Sequence, residues 1–132
     1  MTTNETFESI GRWSLDTFGP GDDPKVHVGR ILDETLEAAY AAGLDFDEIL
    51  RRASKAGDKA HREFGNLPLA DAKRAMRKAL PGELADIVVT VAAAASRIEV
   101  DIPAEVHRKM AVNRARKWKC FGDGTGQHIK SA

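Results

Sequence analysis

The chain has 132 residues, of which 42% are hydrophobic and 30% charged, a composition typical of one folded domain rather than of a disordered chain. Twenty basic and twenty acidic side chains give a formal net charge of zero, so the overall charge indicates neither a nucleic-acid partner nor an anionic membrane. The only cysteine, Cys120, excludes an intramolecular disulfide and fits a reducing compartment. No secretory signal opens the sequence, so we expect a cytoplasmic protein.

The first third of the chain shows helical periodicity. Apolar residues spaced by three predict a short helix over 7–13, and the following stretch, 14–24, contains Gly and Pro and is predicted to be a loop. A second helix is predicted over about 24–42, with Gly43 as its C-terminal stop.

A third helix is predicted to follow Asp45 or Asp47, either of which could serve as its N-cap. Gly57 could divide this helix, or Gly65 could end it. A fourth, shorter helix is then predicted over about 69–80.

The stretch 81–98 is predicted to be a separate central helix, because Pro81 and Gly82 should end the preceding helix. This helix is apolar almost all the way round, and such a helix is normally buried. Its apolar run is interrupted by Thr90, Ser96 and Arg97, and we expect it to be too rich in alanine and too short to cross a bilayer.

The last helix is predicted over about 103–118, after Asp101, with Pro103 at or near its first position. Residues 1–6 and 119–132 are expected to be irregular tails. Residues 1–132 are therefore predicted to form a single all-α domain, a four- to five-helix bundle.

Two predicted helices each carry a pair of carboxylates with i, i+3 spacing, Glu34 with Glu37 and Glu83 with Asp86, so each pair lies on one helical face. If the two faces met, four like charges would be forced together, and a divalent cation would relieve their repulsion. Carboxylate oxygens are the ligands that Mg²⁺ prefers.

Each pair also has an ordinary explanation. Acidic pairs on helices are most often solvated surface, and Arg30 could pair with Glu34. Glu83 and Asp86 would lie in a first helical turn, where acids favourably oppose the helix dipole.

The last predicted helix carries a basic cluster that consists of Arg108, Lys109, Asn113, Arg114, Arg116 and Lys117. Within it, Lys109, Asn113 and Arg116 fall on one face, a set suited to phosphate oxygens. The alternative is a basic C-terminus that complements the helix dipole. Trp13, Phe18 and Trp118 are candidates for stacking on a nucleobase, or else core or interface residues. The four histidines show no zinc-like spacing with Cys120, and the Gly-rich stretch 122–128 lacks the features of a P-loop.

The ordered set DETLE (33–37), GELAD (82–86) and KMAVNRARKW (109–118) resembles the MazG-like, all-α nucleoside triphosphate pyrophosphohydrolases. The opening RWSLDTFGPG (12–21) looks like that of small, often phage-borne members. The resemblance covers about 7–118. The chain departs from the family in having Asp33 where a Glu is frequent, and in a longer interval between Glu37 and Glu83.

The resemblance implies the roles of several side chains. Glu34, Glu37, Glu83 and Asp86 would hold Mg²⁺, with Mn²⁺ as a substitute, and Glu34 and Glu37 would be catalytic together with Asp33. Lys109, Asn113 and Arg116 would bind the triphosphate. From their aromatic faces rather than from the resemblance, we also expect Trp13 and Trp118 to contact the substrate. The bundle would be completed in a homodimer or homotetramer.

We therefore predict Mg²⁺-dependent hydrolysis of (deoxy)nucleoside triphosphates to nucleoside monophosphate and pyrophosphate, serving nucleotide-pool control or the removal of damaged precursors. No membrane or nucleic-acid partner is expected. Two alternatives stay open: a nucleic-acid-binding module that uses the basic helix, and a non-enzymatic helical dimerisation or adaptor protein.

Overall fold

The structure is a computed structural model that describes residues 4–130. It contains five helices and two short strands. In chain order these are α1 (Phe7–Phe18), α2 (Pro24–Ala41), α3 (Phe46–Phe64), α4 (Leu69–Arg97), α5 (Ile102–Ala115), β1 (Trp118–Cys120) and β2 (Gly126–His128). The predicted all-α fold class, with four or five helices, is confirmed.

Helix α1 is longer than the sequence pattern predicts. A capping box starts it, in which the Thr6 hydroxyl accepts from Ser9 N and the Ser9 hydroxyl accepts from Thr6 N. The helix ends only at Gly19, whose φ of 77° lies in the left-handed region and whose N–H donates to Leu15 O. The prediction that residues 14–18 form a loop is wrong, because the first helix-breaking residue of this stretch is Gly19.

Helices α2 and α3 match their predicted limits closely. Gly43 follows α2 with a φ of 92°, the conformation that glycine adopts without strain. Asp45 is the N-cap of α3, and its carboxylate accepts from Glu48 N at 2.9 Å. Gly57 does not interrupt α3, which continues to Phe64 and is capped by Gly65.

Helix α4 runs without a break from Leu69 to Arg97, so the prediction of two helices separated at Pro81 and Gly82 is wrong. A proline inside a helix removes one hydrogen bond and crowds the carbonyl four residues earlier. Here the helical turns on both sides of Pro81 outweigh that local cost. The structure therefore joins the predicted fourth and central helices into one 29-residue element.

The expectation that the central apolar helix is buried is also wrong for the described residues. Of the α4 side chains only Ala72 and Ala95 are buried, whereas Val88, Val89 and Val91 are 46–65% exposed. By length and composition alone α4 could cross a membrane, and only 6% of its apolar window is buried. The expectation that the apolar run is too short to span a bilayer therefore fails on length.

Helix α5 begins as predicted, with the Asp101 carboxylate accepting from Ala104 N at 3.1 Å. It ends at Ala115 rather than near Trp118, because Arg116 adopts an extended backbone as its C-cap. A two-stranded antiparallel hairpin follows, in which Trp118 pairs with His128 and Lys119 with Gln127.

The expectation of an irregular tail over 119–132 is therefore wrong for the strands. Between them, Phe121 N donates to Thr125 O at 3.0 Å, and Gly122 and Gly124 take φ values of 82° and 87°. Residues 4–6 precede α1 without regular structure, as predicted for 1–6. Residues 1–3 and 131–132 lie outside the described residues.

The chain divides into two units. The first comprises residues up to Leu32 and from Ala95 onward. Within it, α1 packs against β1, and β1 pairs with β2. The second is Asp33–Ala94, which comprises the end of α2, all of α3 and most of α4. That residues 1–132 form a single domain stays a prediction.

Candidate functional site

The first carboxylate pair, Glu34 and Glu37, lies in the second half of α2. The two residues are one helical turn apart, so both side chains leave the same face of the helix, and both are exposed. Asp33 is exposed as well, and it precedes Glu34 by one residue, which turns its side chain about 100° around the helix axis.

The second pair, Glu83 and Asp86, lies in the middle of α4. Because the helix begins at Leu69, these acids do not occupy a first turn, and the helix dipole does not explain them. Both are exposed, and the Asp86 backbone carbonyl accepts a hydrogen bond from the Thr90 hydroxyl at 2.7 Å. Within residues 4–130, Glu37, Glu83 and Asp86 form no ion pair with a basic side chain.

All four carboxylates belong to the second unit. In the part of the chain that the structure describes, no three His, Cys, Asp or Glu side chains lie close enough to hold a metal ion together. As donors the four suit Mg²⁺, because hard carboxylate oxygens on one helical face can bind a hard cation. That the two pairs converge and hold a metal ion stays a prediction.

The first unit contains an aromatic cluster, defined here as Trp13, Phe18, Trp118 and His128. The Trp13 and Phe18 ring centres are 5.4 Å apart, and those of Phe18 and Trp118 are 5.2 Å apart. Trp13 and Trp118 are 5.8 Å apart, and Trp118 and His128 are 6.2 Å apart. All four pairs meet edge to face, a preferred arrangement of aromatic rings.

The aromatic cluster joins α1 to the hairpin. Trp118 is fixed further by its indole N–H, which donates to Asn113 O at 3.0 Å. Gly126 lies beneath Phe18 so closely that an added Cβ would come within 2.8 Å of the ring. The structure thus brings together Trp13, Phe18 and Trp118, the three residues predicted as base-stacking candidates, as half-buried packing partners of one another.

The predicted phosphate ligands are only partly brought together. The Arg116 guanidinium donates to Asn113 Oδ1 at 3.5 Å, so these two side chains are neighbours. Lys109 is exposed on α5 and contacts neither of them through a hydrogen bond among the described residues. The prediction that all three lie on one helical face is wrong for Arg116, because the helix ends one residue before it.

A cavity of about 640 Å³ opens beside the hairpin and is called the basic cavity here. It is lined by Ala115, Arg116, Lys117, His128, Ile129 and Lys130. Four of these six side chains can carry positive charge, and none is acidic. The sequence interpretation included Arg116 and Lys117 in its basic cluster but missed His128 and Lys130. The hairpin, which would have placed them there, was not predicted.

A second cavity of about 320 Å³ lies along α1, beside an ion pair between Glu5 and Arg114. The Arg114 guanidinium donates twice to the Glu5 carboxylate, both times at 2.9 Å, and the Ser9 hydroxyl donates to it at 2.6 Å. These hydrogen bonds lower the pKa of Glu5 from 4.5 to about 2. The pair ties the residues before α1 to α5.

These features define an all-α protein with two acidic helical faces and a separate basic, aromatic-flanked cavity. One relative is the dATP/dGTP diphosphohydrolase of Cyanophage S-2L, which is 32% identical over 94 residues, or 71% of this chain and 85% of that protein. The chain belongs to the family of this phage protein.

A second relative is the dATP/dGTP diphosphohydrolase of Salmonella phage PMBT28, which is 40% identical over 48 residues. That match covers 36% of this chain and spans only 17% of the length of the Salmonella phage protein. No protein-family model matches the chain, so its place among the MazG-like enzymes stays a prediction, and no solved structure matches it.

Proposed function

We propose that the protein hydrolyses deoxynucleoside triphosphates to nucleoside monophosphate and pyrophosphate. The observation that carries the proposal is the similarity to the Cyanophage S-2L protein over most of both chains, because that relative is a dATP/dGTP diphosphohydrolase. The acidic pairs and the basic cavity support it, since a nucleotide hydrolase needs groups that handle phosphate charge. Purine deoxynucleotides are therefore the first substrates to test.

In this proposal Glu34, Glu37, Glu83 and Asp86 hold a Mg²⁺ ion, which Mn²⁺ can replace. A bound divalent ion would neutralise phosphate charge and lower the pKa of a coordinated water. Asp33, next to Glu34, would take up a proton from the attacking water or orient a metal-binding carboxylate. The exposure of the pairs leaves their oxygens accessible to a cation.

Lys109, Asn113 and Arg116 are proposed to bind the triphosphate. The hydrogen bond between Arg116 and Asn113 would hold the guanidinium in position, which reduces the entropy lost when a phosphate binds. Trp13 and Trp118 are proposed to flank the base, with the exposed parts of their rings available for contact.

The exposed apolar side chains of α4 are proposed to be covered by a second copy of the chain. Ile87, Val88 and Val91 lie within about 100° of one another around the helix axis and are each between 38% and 51% exposed, and an exposed apolar surface of this kind marks an interaction site. Sedimentation velocity tests this point. A dimer or tetramer is expected, and a monomer at micromolar concentration would contradict it.

The reaction is tested by separating the products of dATP and dGTP on an ion-exchange column after incubation with Mg²⁺ or with EDTA. Mg²⁺-dependent monophosphate and pyrophosphate are expected. Diphosphate with orthophosphate would refute the proposed reaction. No turnover of either nucleotide would favour the adaptor or nucleic-acid-binding alternatives.

Matched variants test the carboxylates. Glu37→Gln and Asp86→Asn should each abolish turnover, because each removes one charged metal ligand while keeping its shape. Asp58→Asn is the control, since this exposed carboxylate on α3 belongs to neither pair. Equal activity in all three variants would remove the proposed metal site.

A further inference from the structure

The basic cavity stands out from a chain whose formal charge is zero. Between Arg108 and Lys130 the sequence contains seven Lys and Arg residues but a single acid, Asp123. That acid is already engaged, because its carboxylate accepts from the Thr125 hydroxyl at 2.6 Å and from Thr125 N at 2.9 Å. Arg108 and Arg114 pair with Glu105 and Glu5, which lie outside this segment. Among residues 4–130, the remaining cations near the cavity, Arg116, Lys117 and Lys130, form no ion pair with a carboxylate.

Backbone pairing in the hairpin positions the side chains that line the cavity. Arg116 leaves α5 in an extended conformation, and Lys117 follows it directly into β1. On the opposite strand, Ile129 N donates to Lys117 O at 2.8 Å, which sets Lys130 and His128 on either side of that bond. The cationic side chains are thus gathered by strand pairing rather than by an irregular tail.

The neighbouring aromatic cluster fixes one wall. His128 lies edge to face against Trp118, and Trp118 is anchored by its hydrogen bond to Asn113 O. On another wall, Arg116 is held by Asn113 Oδ1. Two of the four basic groups are therefore positioned by contacts outside the cavity, while Lys117 and Lys130 are exposed and able to adjust.

Within residues 4–130, no carboxylate forms an ion pair with Lys117, His128 or Lys130. Like charges held in one concave site repel, and a multivalent anion removes that repulsion. Arg supplies a planar fork for phosphate oxygens and Lys a mobile point charge, so the set suits phosphates. The volume of about 640 Å³ lies within the range of roughly 300–1,000 Å³ found for ligand pockets.

We propose that the basic cavity, through Arg116, Lys117, His128 and Lys130, binds a polyphosphate chain. This ligand is either the triphosphate of the nucleotide substrate or a free inorganic polyphosphate. Assignment to the substrate rests on the proposed function, whereas binding of the polyphosphate does not.

The first test is isothermal titration of the full-length protein with inorganic triphosphate in EDTA, so that no divalent ion bridges the ligand to carboxylates. The double variant Lys117→Gln/Lys130→Gln should weaken binding by at least about tenfold, because two charge-assisted contacts are lost. The control is Lys55→Gln/Lys73→Gln, which removes two exposed lysines of the second unit. Equal affinity in both double variants would overturn the proposal.

Kinetics with dATP and dGTP separate the two sources. If the cavity takes the substrate triphosphate, Lys117→Gln/Lys130→Gln raises KM more than it lowers kcat, and inorganic triphosphate inhibits competitively. If it takes a separate polyphosphate, KM is unchanged and inhibition is non-competitive. A protein that turns over neither nucleotide would still bind inorganic triphosphate, so failure of the proposed function is distinguishable.

A nucleic acid is the competing macromolecular ligand. Titration with a single-stranded deoxyoligonucleotide tests it under the same conditions. Tight oligonucleotide binding that the lysine variant abolishes, without binding of inorganic triphosphate, would overturn the polyphosphate proposal.

Discussion

Replacing Trp118 with phenylalanine tests whether the aromatic cluster stabilises the first unit as its geometry indicates. The substitution keeps a ring beside Phe18 and Trp13 but removes the indole N–H that donates to Asn113 O. A hydrogen bond of this kind contributes about 1 kcal/mol. The smaller ring also weakens edge-to-face contacts worth about 0.5–1.5 kcal/mol per pair. We expect a loss of roughly 2 kcal/mol in the free energy of unfolding.

The matched control is Trp13→Phe, in the same cluster. Trp13 has similar ring contacts, but its indole N–H has no hydrogen-bond partner among residues 4–130, so its loss should be about 1 kcal/mol smaller. Urea unfolding followed by far-UV circular dichroism measures both. Coincident midpoints for the two variants would refute the role assigned to the Trp118 hydrogen bond.

Four further substitutions probe other features. Glu5→Gln should destabilise the protein at neutral pH. Because Arg114 lowers the pKa of Glu5 to about 2, the wild-type protein should lose its extra stability over the variant as the pH falls from 4.5 towards 2. A difference in melting temperature between the two proteins that stays constant over this pH range would contradict this. Gly126→Ala places a Cβ 2.6 Å from a backbone oxygen and should cost about 1–3 kcal/mol, whereas Gly29→Ala, in open space on α2, should stabilise by about 0.5–1 kcal/mol; thermal unfolding compares them. Pro81→Ala should raise the melting temperature by restoring a hydrogen bond inside α4, and a lower melting temperature would show that the proline is required there.

Helix limits were predictable where a local signal acts alone. Asp45 and Asp101 cap their helices through their own carboxylates, and Gly43 and Gly65 stop helices within a residue or two of the predicted ends. These signals depend on hydrogen bonds that a side chain makes with its own neighbours, so the sequence contains them directly.

Predictions failed where a wider stretch of helix outweighs a local signal, or where distant residues decide the outcome. A proline such as Pro81 would end a short isolated helix, but in α4 the helix continues on both sides of it. The hairpin was missed because its strands are three residues each and show no alternation long enough to detect. The Gly-rich turn is visible in the sequence, but the packing of Trp118 against α1, on which the hairpin also depends, joins residues about 100 positions apart and is not.

The candidate sites divide in the same way. The i, i+3 spacing of Glu34 with Glu37 is a property of one helix and was predictable, but their convergence with the second pair depends on packing between helices. The basic cavity combines residues from both sides of the hairpin turn. Only Arg116 and Lys117 could be singled out before that turn was known.

Isotope labelling of the products tests whether the protein hydrolyses a deoxynucleoside triphosphate at its α-phosphate. The protein would be incubated with dGTP and Mg²⁺ in H₂¹⁸O, and the products analysed by mass spectrometry. We expect one ¹⁸O atom in the nucleoside monophosphate and none in pyrophosphate. Label in the pyrophosphate, or products consisting of nucleoside diphosphate and orthophosphate, would contradict it.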